Sequence, residues 1–70
     1  MSNARIQVQI NQAPHSLPNG ATLADAIAHV AIQPPFAAAV NFQFVPHGLY
    51  AQHILVQDDK IELVAPITGG

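Results

Sequence analysis

Ile6, Val8 and Ile10 alternate with Arg5, Gln7 and Gln9, the period-two spacing of a strand that buries one face. Asn11-Gln12-Ala13-Pro14 supplies turn chemistry, and a short second strand over His15 to Leu17 completes a hairpin that Pro18-Asn19-Gly20 ends. The period then changes. Leu23, Ala26, Ile27 and Val30 fall at helical spacing behind Thr22, which stands where an N-cap belongs. Asp25, three residues on, places its charge at the positive end of the helix dipole. Two to three turns are predicted, with Pro34-Pro35 as the stop.

Phe36 to Val40 reads as a strand of small residues, plausible where the helix covers it. Asn41-Phe42-Gln43 turns the chain into a fourth strand, Phe44-Val45-Pro46, whose proline marks an edge or an end. His47 to Leu55 has no clean period and is expected to be loop with one helical turn. Asp58-Asp59 makes a turn, after which Ile61 and Leu63 alternate with Lys60 and Glu62 in a last strand. The order is ββαββ followed by a final strand. Strands on one face of a single helix make an α+β layer, and pairing the first and last strands in parallel is the economical way to cover that face.

Seventy residues make one domain, residues 1–70, with 1–4 expected to be a disordered N-terminus without a role and 65–70 a flexible tail. A domain this small buries only about 60% of its unfolded surface, so a carrier or binding module is favoured over an enzyme. Half of the residues are hydrophobic and 9% are charged, against about a quarter charged in ordinary domains. Much of the surface is therefore neutral, which suits docking to another protein. Arg5 and Lys60 face Asp25, Asp58, Asp59 and Glu62, for a formal charge of -2. There is no basic patch for phosphates, so no nucleic-acid partner is expected. The absence of cysteine excludes disulfides and thiolate metal sites. No secretory signal and no membrane-length apolar run is present, and the expected location is the cytoplasm, away from any membrane. His15, His29, His47 and His53 include no pair with zinc-type spacing on one element, so no metal site is expected.

Candidate chemistry gathers at the end of the sequence, Ala65-Pro66-Ile67-Thr68-Gly69-Gly70. A terminal carboxylate has a pKa near 3.3 to 3.7 and is an ionised oxygen nucleophile at neutral pH. Without a Cβ, Gly69 and Gly70 fit a slot too narrow for other residues, and six extended residues reach roughly 20 Å. Gly70 and Gly69 are the candidate site. Phe42, Phe44, Tyr50 and Ile67 are candidate docking residues.

The chain resembles the ThiS family, the sulfur carriers of thiamine biosynthesis with a ubiquitin-like β-grasp fold. The likeness rests on Thr22-Leu23-Ala24-Asp25, Ala39-Val40-Asn41, Val45-Pro46, Ala51-Gln52-His53-Ile54, Asp59-Lys60-Ile61-Glu62-Leu63-Val64 and Gly69-Gly70. It implies a mixed sheet of four to five strands on one helix. It implies that an adenylating enzyme uses ATP to activate Gly70, that a sulfur donor protein converts it to a thiocarboxylate, and that thiazole synthase receives the sulfur. The carrier itself binds no cofactor. Three departures stand out: Gln57-Asp58-Asp59 where the family has Asp-Gly-Asp, Tyr50 where it often has Trp, and His47 where it often has Arg. Pro66-Ile67-Thr68-Gly69-Gly70 also resembles the tail of the small subunit of molybdopterin synthase, and a ubiquitin-like protein modifier is a third reading.

Overall fold

The computed structural model describes residues 4–65. The opening alternation becomes β1 (Arg5–Ile10), which buries Ile6, Val8 and Ile10 and exposes the residues between them. β2 (Ala13–Pro18) pairs with it antiparallel, Ile10 opposite Ala13 and Arg5 opposite Pro18. Only Asn11 and Gln12 lie in the turn, at φ 50° and 71°. Positive φ at both central residues is what a two-residue hairpin loop needs to match strand twist. β2 is accordingly longer than the predicted His15 to Leu17, because the tight turn leaves Ala13 and Pro14 in the ladder.

α1 (Leu23–Val30) begins with a reciprocal cap. The Asp25 amide donates to Thr22 Oγ1 at 3.2 Å, and the Thr22 amide donates to Asp25 Oδ2 at 2.9 Å, so two otherwise orphaned donors are satisfied. The helix ends earlier than Pro34-Pro35 would stop it. Ala31 adopts φ 58° and ψ 36° and donates its amide back to the carbonyls of Ile27 and Ala28, a left-handed cap that closes the last turn. The Pro34–Pro35 bond itself is cis.

β3 (Ala37–Val40) and β4 (Gln43–Val45) form a second hairpin around Asn41 and Phe42, again both at positive φ. Gln43, expected in the turn, is therefore the first residue of β4, and Pro46 follows the strand. His47–Gln52 is a 3₁₀ segment, longer than the single turn expected there. Its exit is tied to the start of α1: Leu23 donates its amide to the His53 carbonyl at 2.8 Å, and Leu55 donates to Ala21 at 2.9 Å.

β5 (Lys60–Val64) enters the middle of the sheet, whose order is β2-β1-β5-β3-β4. It runs parallel to β1 and antiparallel to β3. Leu23 and Ala26 of α1 are fully buried on the inner face, with Val8, Leu17, Ala38, Val40, Val45, Leu55, Ile61 and Leu63. One layer of helix on one layer of sheet leaves the other sheet face uncovered.

Candidate functional site

β5 is the strand that leads to the candidate chemistry, and polar groups from three loops fix where it starts. Asp59, just before it, is 6% exposed. Its Oδ2 accepts from the Val56 amide and its Oδ1 from Asn41 Nδ2, both at 2.9 Å. Asn41 Oδ1 in turn accepts from the Lys60 amide at 3.0 Å. On the other side of β5, Asn11 has turned out of β1, but its side-chain amide stands in for a strand peptide. Its Oδ1 accepts from the Leu63 amide at 2.8 Å, and its Nδ2 donates to the Leu63 carbonyl at 3.1 Å. The ladder beside β5 thus continues two residues past its last pair with β1, Ile10 opposite Ile61.

Asp58, where the resemblance implies a glycine, takes φ 72°. An L-residue there is strained by about 1 to 2 kcal/mol, less for Asp than for most. Asp58→Gly is expected to raise unfolding free energy by about 0.5 to 1 kcal/mol after the extra chain entropy of glycine is subtracted. Urea denaturation measures it. A loss of stability would mean that the Gln57 Nε2 to Asp58 Oδ1 bond at 3.2 Å outweighs the strain.

The uncovered face carries Lys60, Glu62 and Val64 of β5, with Ala39 opposite Glu62, Ala37 opposite Val64 and Phe44 opposite Ala39. Phe44 is 68% exposed, and Phe42 at the turn beside it is 80% exposed. Phe42 borders a hollow of about 210 Å³ with Gln9, Gln12, Lys60, Ile61 and Glu62. Two aromatic rings and Val64 stand in water on or beside that face, apolar surface that folding leaves uncovered.

Tyr50 does not join that surface. It is 8% exposed, stacked on Phe36 with centroids 6.0 Å apart and met edge-on by His47 at 5.1 Å. Its place is beside the end of α1, where the 3₁₀ segment rolls its ring toward the core. Ile67, Gly69 and Gly70 lie outside the described residues. Asn11, Asn41 and Asp59 were missed as site-positioning residues; their signal was turn-forming side chains between period-two strands.

Among the described residues, no group of three or more histidine, aspartate or glutamate side chains stands together as a metal centre. No helix there is long and apolar enough to cross a membrane.

A hairpin, one helix, and a second hairpin whose neighbour in the sheet is a last strand parallel to the first: this arrangement is the ubiquitin-like β-grasp. The family model of the ThiS family matches residues 3–70, and the chain belongs to that family. Its members are small sulfur-carrier proteins, not catalysts. A crystal structure of a thiamine biosynthesis protein (ThiS) from Geobacter metallireducens is similar with a TM-score of 0.78 at 10% identity, covering 93% of this chain and all of the other. No curated protein sequence matches the chain.

Proposed function

We propose that this protein carries sulfur as a thiocarboxylate on Gly70 and delivers it for thiazole formation in thiamine biosynthesis. The observation that supports the reading is the family match over residues 3–70, a span that takes in Gly69 and Gly70. A carboxylate is a poor electrophile. Attack of the Gly70 carboxylate on the α-phosphorus of ATP, held by an adenylating enzyme, releases pyrophosphate and leaves an acyl adenylate. The persulfide of a sulfur donor protein displaces AMP, and a thiol then cleaves the sulfur–sulfur bond to leave the thiocarboxylate and a disulfide. ATP belongs to the partner; this chain contributes the acyl group.

Ordering six tail residues costs roughly 6 to 12 kcal/mol, so the body has to supply interface. Phe42 and Phe44 are assigned that role, with Ile67 reaching the same partner from the tail. Phe42→Ser with Phe44→Ser is expected to raise the KM for activation about tenfold or more, as loss of aromatic anchors does. The unfolding free energy should move by no more than about 0.5 kcal/mol, because both rings are already in water. An unchanged KM would remove these rings from the docking surface.

The reading itself is tested by incubating the protein with adenylating enzyme, ATP and a sulfur source and weighing the intact chain. Replacement of one oxygen by sulfur is the expected result; an unaltered mass with a competent enzyme would overturn it. The tail also resembles that of the molybdopterin synthase small subunit, which uses the same terminal chemistry. Complementation of thiamine and molybdopterin auxotrophs separates the two pathways, and rescue of the thiamine strain is expected.

A further inference from the structure

His15 and His29 stand fourteen positions apart in the sequence, and folding brings their imidazoles together. His15 is on β2, the edge strand, two residues before buried Leu17 and so on the face that α1 covers. His29 is in the last turn of α1. The ring centroids are 5.2 Å apart with the planes at 89°. Among the described residues, no side-chain hydrogen bond engages either ring.

We propose that His15 and His29 form a two-histidine site for a divalent transition-metal ion, clamping the edge strand to the helix. Neutral imidazole is the commonest side-chain metal ligand. An ion bound to one nitrogen of each ring at about 2.0 to 2.1 Å lies about 3.2 Å from each centroid. The centroids then stand roughly 4.5 to 5.2 Å apart for ligand angles between about 90° and 109°. The observed separation falls at the upper end of that range. The edge-to-face pose needs one ring to turn about χ2, a broad torsion for histidine, and the backbone need not move.

The electrostatics favour a cation. Asp25, one helical turn before His29, borders with it a hollow that Leu17 and Gly20 also line. The nearest guanidinium, Arg5, is turned to the opposite sheet face, where its Nε donates to Ser16 Oγ at 2.8 Å. With two imidazoles, no thiolate and water completing the shell, the order of affinity should be Cu²⁺ above Ni²⁺ and Zn²⁺. Two ligands make a weaker site than the four of a structural zinc centre. In the unfolded chain the two rings are far apart, so the ion binds the folded state preferentially and raises the melting temperature.

The test is thermal unfolding of the full chain in a non-coordinating buffer with CuCl₂, NiCl₂ or ZnCl₂. At a free ion concentration of about 100 times Kd, Tm should rise by roughly 10 to 20 °C, most steeply with concentration for copper. His15→Gln and His29→Gln should each lose that rise, whereas His47→Gln and His53→Gln should keep it. Metal-free melting curves of each variant establish that it folds. The copper complex of the parent should show nitrogen hyperfine coupling from two imidazoles by electron paramagnetic resonance. Absence of a rise, an equal rise in the His15→Gln, His29→Gln double variant, or coupling that survives in that variant would overturn the proposal.

Discussion

Deleting Gly70 is expected to abolish thiocarboxylation while leaving the fold intact. The new terminus would be Gly69, with the same carboxylate and the same small residue, but about 3.5 Å nearer the body. An acyl transfer tolerates little of that, since a displacement of about 1 Å can already cost 10²-fold. The expected kcat/KM for activation is therefore at least about 10²-fold lower, measured by pyrophosphate release and by the mass of the intact chain. Gly70→Ala keeps the reach and adds one methyl group, so it separates length from width. A deletion variant that accepts sulfur at the full rate would place the chemistry elsewhere.

Asp59→Ala should have the largest effect on stability. The carboxylate is buried and holds two donors, the Val56 amide and Asn41 Nδ2. Each donor left unsatisfied costs about 1 to 3 kcal/mol, which gives a loss of about 3 kcal/mol. A domain of this length has roughly 4 to 10 kcal/mol in all, and Tm should fall by roughly 10 to 20 °C. Asp59→Asn should be less damaging, because one oxygen remains to accept while the new NH₂ faces a donor. Activation by the folded fraction at low temperature should stay near that of the parent, since Asp59 acts on the start of β5 and not on Gly70. A loss below about 1 kcal/mol would mean that water replaces the carboxylate.

The elements themselves were legible because side-chain period is local: the alternation at Ile6, Val8 and Ile10 and the stripe at Leu23, Ala26 and Ile27 each encode one buried face. The parallel pairing of first and last strands was reached partly by resemblance to the β-grasp, since period gives the elements and not their partners. What was not legible depends on backbone choices that many sequences share. Nothing in Ala31 announces a left-handed cap, and neither Asn11-Gln12 nor Asn41-Phe42 contains the glycine that usually marks a two-residue turn. The burial of Tyr50 was not legible because a 3₁₀ segment has neither period, so its sequence does not tell which of its side chains meet the core. The side-chain bonds of Asn11, Asn41 and Asp59, and the approach of His15 to His29, join segments that only tertiary structure makes neighbours. Of the candidate site, the exposed Phe42 and Phe44 could be read from their place at a turn and on an edge strand.

The place of β5 in the sheet has a mechanical consequence. It is bonded along both sides, to β1 and the side chain of Asn11 on one and to β3 on the other. A tug along its axis therefore loads those bonds together in shear, where an edge strand would peel away one bond at a time. A protein that draws the carboxyl end inward pulls against an anchor in the middle of the body, and the force of loading and release need not unravel what holds it.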